Sequence, residues 1–101
     1  MYQDEDKIDP FYIILGSFSI DCSYSDYILE SRVIQDYKKH NPNAKFFQVD
    51  CAIEKEDQES VSDFLQTGQF HLNHKNYRSF KKLNRIFHFP KLEAKLNEFK
   101  R

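Results

Sequence analysis

The sequence predicts an α/β (α+β) fold, a small mixed sheet of three to four strands with about five packed helices. The first observation is a β-branched and aromatic run, 11–15, followed by a Gly-Ser turn and an alternating segment. The second is another strand-like run, 46–49, and the third is a series of segments with apolar residues at helical spacing. Because strand and helix patterns interleave, the helices are expected to pack on one sheet.

The N-terminal elements follow from short patterns. Residues 1–10 form an acidic tail, expected to be disordered, and residues 11–99 form one domain. The run 11–15 is expected to be a strand buried on both faces. Gly16-Ser17 makes a hairpin turn, after which Phe18, Ile20 and Cys22 are expected to point inward.

Two helices and a strand come next. Ser23 or Ser25 is expected to cap a short helix containing Ile28 and its neighbours, and Ser31 to cap a second helix. Pro42 pushes its neighbour out of the helical region, so that helix ends before it. The run 46–49 is the third strand.

The second half of the chain is predicted to be mainly helical. Val61, Phe64 and Leu65 mark a helix that Gly68 ends in a left-handed conformation, and residues 70–72 could form a fourth, short strand. Asn73 is expected to cap the next helix. Apolar positions of the last two helices recur at helical spacing, at Tyr77, Phe80, Leu83, Phe87, Leu92, Leu96 and Phe99.

This order of elements resembles the BTB/POZ fold, also called the Skp–Elongin-C fold. The hairpin, the Ile28-Leu29-Glu30-Ser31 junction, the segment 64–72 with its Thr-Gly turn, and the closing helices carry the resemblance. Residues 31–99 look most like BTB-like domains that precede ankyrin repeats in protist proteins. The resemblance implies a protein–protein interaction module, the N-terminal domain of a larger adaptor or scaffold, which could self-associate.

Two departures from the family pattern bear on partners. Strongly dimerising members carry an additional N-terminal strand, whereas only the acidic tail precedes this hairpin. Members that recruit a cullin ubiquitin ligase often show a hydrophobic-x-acid triplet between the second helix and the third strand, but residues 40–48 contain no acid. Both departures argue against those two modes of assembly.

The sequence favours no catalytic or metal site. Gly16 and Gly68 are the only glycines, which excludes a glycine-rich phosphate loop. His71 and His74 form an H-x-x-H pair without the cysteine pairs that usually accompany a zinc site. We therefore predict no enzyme activity, no cofactor and no metal, and two buried free thiols, Cys22 and Cys51, in a reducing cytoplasmic or nuclear compartment.

Charge is distributed unevenly along the chain. Residues 1–73 contain 6 Lys/Arg and 14 Asp/Glu, whereas residues 74–101 contain 9 Lys/Arg and 2 acids, and the whole chain has a net charge of -1. Five cations are spaced so that they lie opposite the apolar side of the predicted helix. They define the basic face, Lys75, Arg78, Lys81, Lys82 and Arg85.

The main candidates for binding are the basic face and the exposed parts of 24–37, including Tyr24 and Tyr27. An acidic protein is one possible partner, and segment 50–63 of a second copy, in a head-to-tail contact, is another. Nucleic-acid binding through residues 75–85 is the alternative function, although the net acidic chain disfavours it. A solvated face without a partner also explains the pattern. No membrane association is expected, since no segment approaches the length of a span.

Overall fold

The computed structural model describes residues 10–99, so the tail predicted to be disordered, residues 1–10, lies outside the described residues except for Pro10. The strands are β1 (Tyr12–Leu15), β2 (Phe18–Asp21) and β3 (Phe46–Val49). The α-helices are α1 (Arg32–His40), α2 (Gln58–Thr67), α3 (Tyr77–Phe87) and α4 (Pro90–Phe99). Two short 3-10 turns, Tyr27–Glu30 and Lys55–Asp57, precede α1 and α2.

The strands form one mixed sheet in the order β2-β1-β3. Strand β1 is antiparallel to β2, with Ile13 opposite Ile20, and parallel to β3, with Ile13 beside Phe47. The predicted mixed α/β architecture is therefore confirmed, with three strands. No strand forms at 70–72, because the Phe70 ring turns into the core and lies 4.9 Å from the Phe64 ring, edge to face.

The expectation that the first strand is buried on both faces is wrong. Phe11, Ile13 and Leu15 are buried, but Tyr12 is 37% exposed. Successive side chains of β1 point to opposite sides of the sheet, and only those on the inner side are fully buried. On the outer side Tyr12 lies directly beside Phe46, which is 50% exposed.

The first predicted helix is a 3-10 turn, because its serines are used elsewhere. Ser23 Oγ accepts a hydrogen bond from the Phe11 amide at 3.0 Å, and Ser25 Oγ donates to the Leu65 carbonyl at 2.6 Å. The predicted cap at Ser31 is confirmed, since its hydroxyl accepts from the Ile34 amide. The same hydroxyl donates to the Phe87 carbonyl, which ties the start of α1 to the end of α3.

Aromatic rings hold the helices together. The Phe64 ring lies 5.6 Å from Phe80 and 5.0 Å from Phe89, both edge to face, and all three side chains are fully buried. Gly68 ends α2 with a φ of 84°, as expected, and His88 ends α3 with a φ of 58°. This cluster fixes which side of α3 faces solvent.

Candidate protein-binding surface

The register of α3 is set by its buried side. Phe80, Leu83 and Phe87 are fully buried, and Tyr77 is partly buried and packs against the core. The helix has 3.6 residues per turn, so Arg78, Lys81, Lys82 and Arg85 are directed outward. All five cations of the basic face are exposed, as the spacing predicts.

Polar side chains fix where α3 begins. Asn73 Oδ1 accepts from the amides of Lys75 and Asn76, both at 2.8 Å, so Asn73 caps the turn before the helix rather than the helix itself. The Asn76 side chain donates to the His71 carbonyl at 2.9 Å. The direction in which the chain enters α3 is therefore determined, and with it the position of Lys75.

Three cations of the basic face lie on one side of a cleft of about 600 Å³. They are Lys75, Arg78 and Lys82, and the acidic side of the cleft consists of Glu54, Glu56 and Asp57. His74 and Ser79 complete the lining. We call this feature the charged cleft. Its acids belong to the 3-10 turn before α2 and to the residue preceding that turn, which the fold brings against the start of α3.

Two hydrogen bonds position groups within the charged cleft. Ser79 Oγ donates to Asp57 Oδ2 at 2.6 Å, and Asp57 is only 4% exposed. The Lys82 ammonium donates to the Ala52 carbonyl at 3.2 Å. The bond from Ser79 compensates part of the cost of burying the Asp57 carboxylate, and it ties α3 to the start of α2.

The other two cations face away from the charged cleft. Lys81 and Arg85 line a smaller groove of about 260 Å³ between α3 and α4. The Lys81 ammonium lies 5.9 Å from the centre of the Tyr77 ring, a cation–π distance. Glu93, the acid in this groove, accepts a hydrogen bond from the Asn84 side chain at 2.6 Å. The basic face is therefore divided between two depressions.

The two tyrosines of the candidate site differ in exposure. Tyr24 is 80% exposed and free to contact a partner. Tyr27 points into the core, where its ring stacks on Phe89 at 5.2 Å and its hydroxyl is buried without a hydrogen-bond partner among the described residues. Burial raises the pKa of Tyr27. Its ring therefore contributes mainly to packing, and most of it is unavailable to a partner.

Sequence reasoning missed three exposed apolar side chains. Leu29 is 41% exposed on the turn that follows Tyr24, and Tyr12 and Phe46 lie side by side on the outer side of the sheet. Side chains alternate in direction along a strand, so the exposure of the last two could have been predicted from their positions, had one solvated sheet face been assumed. The sequence contained no indication for Leu29, because the helix expected there would direct this side chain differently from the 3-10 turn that forms.

The described residues contain no arrangement suited to thiolate or metal chemistry. Burial raises the pKa of the Cys22 thiol to about 12 and raises that of Cys51, so both are protonated at neutral pH. Both are free and buried, as predicted. Over residues 10–99, no three His, Cys, Asp or Glu side chains are close enough to hold a metal ion. Within the same range, no helix has the length and apolar composition to cross a bilayer.

Comparison with known proteins identifies the fold. No family model and no curated protein sequence matches the chain. Among solved structures, it is similar to the BTB (Tramtrack and Bric a brac) domain of human gigaxonin, with a TM-score of 0.67 and 16% identity. The match covers 91% of this chain and 77% of the gigaxonin chain. The chain has a BTB-like fold. The resemblance inferred from the element order is thereby confirmed at the level of fold.

Proposed function

We propose that this BTB-like domain is a protein–protein interaction module that binds an acidic partner through its basic face. The observation that carries the proposal is the exposure of all five cations, four on a helix whose register the core fixes and Lys75 in the turn before it. Such a rigid charged surface increases the rate of association with an oppositely charged protein.

The basic face adds little to folding, which supports a role in binding. Among the contacts of residues 10–99, Lys82 bonds one carbonyl and Lys81 lies over one ring. Neighbouring cations three or four residues apart on a helix repel each other by a few tenths of a kcal/mol per pair, so their clustering slightly disfavours the fold. A solvated face tolerates such a cost, which is why binding has to be measured.

The wider role follows from the resemblance to BTB-like domains. In this proposal the domain is non-catalytic, forms the N-terminal part of a larger adaptor such as one with ankyrin repeats, and acts in the cytoplasm or nucleus. Tyr24, which is 80% exposed, provides a second contact with a partner. Cullin recruitment is not part of the proposal, because residues 40–48 lack the acid that the family triplet requires.

The test compares a triple charge reversal, Arg78→Glu, Lys82→Glu and Arg85→Glu, with wild type. The matched control reverses three cations elsewhere, Lys39→Glu, Lys91→Glu and Lys95→Glu, which are also exposed. A discrete protein is captured with wild type from the native cells, identified by mass spectrometry, and purified. The association rate of that protein should fall for the basic-face variant and lose its salt dependence, while the control keeps both.

Nucleic acid is the outcome that would replace this proposal. The charged cleft argues against it, because Glu54 and Glu56 would repel a phosphate backbone bound to the neighbouring cations. Retention of mixed-sequence DNA or RNA by wild type at near-physiological salt, with a steep salt dependence that the triple reversal abolishes, would favour the alternative. Equal partner binding by wild type and the triple reversal would mean that the basic face is a solvated surface with no role in binding.

A further inference from the structure

The five cations of the basic face have different surroundings, because they line two depressions of different charge. The charged cleft contains three cations and three acids, so its fixed charges cancel. The groove between α3 and α4, called here the α3–α4 groove, contains Lys81 and Arg85 together with His88, and Glu93 is the acid among its lining residues. Positive charge therefore exceeds negative charge in this groove, and an anionic group of a partner is attracted there more strongly than to the cleft.

The acid of the α3–α4 groove is already engaged within the chain. Asn84 Nδ2 donates to Glu93 Oε1 at 2.6 Å, and the Asn84 side-chain oxygen accepts from the Phe89 amide at 2.9 Å. Asn84 is only 7% exposed, so it holds Glu93 in a fixed position. Over residues 10–99, the ion pair within 4 Å joins Lys95 to Glu98, and no pair at that distance includes a groove cation. Both groove cations are therefore available to an external anion.

The α3–α4 groove also offers apolar surface next to its charges. Leu96 is 6% exposed, and the Tyr77 ring, which stacks on Phe99 at 5.2 Å, lines the same groove. The Lys81 ammonium lies 5.9 Å from the centre of the Tyr77 ring, so a cation and an aromatic surface border the same space. A glutamate side chain combines a methylene stem with a carboxylate, and it matches both kinds of surface.

We propose that the acidic partner inserts a glutamate side chain into the α3–α4 groove, where Arg85 and Lys81 bind its carboxylate. The planar guanidinium of Arg85 presents paired N–H donors that match the two carboxylate oxygens, and the Lys81 ammonium adds a point charge. This proposal deepens the proposed function by naming the group that is recognised and the place where it binds, and it rests on that function. The cations of the charged cleft then act at a distance, on the rate of encounter.

The C-terminal end of α3 supplies a competing explanation for Arg85. Cations are favoured in the last turn of a helix because the helix dipole is negative there, and Arg85 lies in that turn. That explanation requires only a positive charge, whereas binding a carboxylate through two N–H groups requires a guanidinium. Arg85→Lys, which keeps the charge and removes the guanidinium, distinguishes the two explanations.

The first experiment locates a bound carboxylate without the natural partner. The probe is a poly-glutamate peptide, titrated into the isotope-labelled whole chain at about 0.05 M salt while amide chemical shifts are followed by NMR. The largest shifts should occur in the α3–α4 groove and should include the side-chain amides of Asn84 and Asn97, which line it. The shifts should vanish at about 0.5 M salt, where the Debye length is much shorter.

The second experiment compares two double variants that change the net charge equally. The groove variant is Lys81→Gln with Arg85→Gln, and the cleft variant is Lys75→Gln with Arg78→Gln, all at exposed positions. Affinity for the poly-glutamate peptide should fall at least about tenfold for the groove variant and no more than about threefold for the cleft variant, because only the groove cations touch the carboxylate. Arg85→Lys should weaken binding by at least about threefold, since an ammonium cannot replace the paired donors.

The same variants separate docking from long-range attraction in the complex with the captured partner. Loss of a docked charge increases the dissociation rate, whereas loss of a peripheral charge alters mainly the association rate. The groove variant should therefore dissociate at least about tenfold faster, and the cleft variant should associate more slowly with a nearly unchanged dissociation rate. The control, Lys39→Gln with Lys45→Gln, is exposed and lies outside both depressions, and it should bind as wild type does.

Three results would overturn the inference. They are peptide-induced shifts that are largest in the charged cleft or absent, equal losses for the groove and cleft variants, and binding by Arg85→Lys that equals wild type. Thermal unfolding of each variant verifies that it folds, and the wild-type shifts test the proposal even if a variant does not. None of these results refutes the proposed function, which fails only if the triple reversal binds the captured partner as wild type does.

Discussion

The two sides of α3 differ in how many contacts they make with the rest of the chain. On the inner side, Phe80 and Leu83 are fully buried, and the Phe80 ring packs against Phe64 from α2 and Phe70 from the loop before α3. On the outer side, the basic face makes few contacts with the described chain and lines two open depressions. The core determines where the charges lie, while the charges determine almost nothing about the core. The outer side is therefore free to serve binding.

The largest expected effect comes from breaking the inner side. Phe64→Ala removes the ring that contacts four other aromatic rings, on Tyr27, Phe70, Phe80 and Phe89, and should cost about 3–5 kcal/mol in the free energy of unfolding. The matched control is Phe46→Ala, which removes the same side chain from a half-exposed site and should cost less than about 1 kcal/mol. Urea unfolding measures both. Equal costs would show that the cluster around Phe64 is not the core.

The next largest effect tests the close packing of Tyr27 against Gly68. An Ala side chain at Gly68 would place its Cβ 2.6 Å from Tyr27 Cδ1 at a φ of +84°, so Gly68→Ala should cost about 2–4 kcal/mol. Gly16→Ala has a similar φ but a nearest atom at 3.4 Å, and should cost only the conformational part, about 1–2 kcal/mol. In a Tyr27→Ala background the Gly68→Ala cost should fall toward that of Gly16→Ala. An unchanged cost there would mean that the ring does not constrain Gly68.

A smaller effect, about 1.4 kcal/mol between pH 9 and pH 10, appears at alkaline pH. Burial raises the pKa of Cys22 to about 12 from an ordinary value of 9.0, so the folded chain keeps a proton that the unfolded chain loses first. The resulting stability is complete below about pH 9 and is lost as pH rises toward 12, by about 1.4 kcal/mol per pH unit. The unfolding free energy of wild type should therefore fall more steeply above pH 9 than that of Cys22→Ala. Parallel curves would show that the thiol is accessible in the folded chain.

Local patterns were sufficient to predict the inner side. Helical spacing located Phe80, Leu83 and Phe87 on one face, and short-range chemistry located the cap at Ser31 and the helix end at Gly68. These features depend on residues a few positions apart, which is the range over which periodicity and capping act.

Contacts between distant segments could not be predicted in the same way. The inward turn of Tyr27 depends on Gly68 and Phe89, and the loss of a strand at 70–72 depends on the Phe70 ring packing against α2. The position of the acids opposite the cations in the charged cleft depends on how α2 and α3 meet. The outward positions of the cations were thus predictable, but their neighbours were not.

The most direct test of the account measures folding and binding on the same triple reversal, Arg78→Glu, Lys82→Glu and Arg85→Glu. Each surface change should alter the free energy of unfolding by no more than about 0.5 kcal/mol, because no buried group changes. The association rate with the captured partner should fall at least about tenfold at low salt. A large loss of stability, or an association rate equal to that of wild type, would contradict the claim that the core fixes the basic face and that binding uses it.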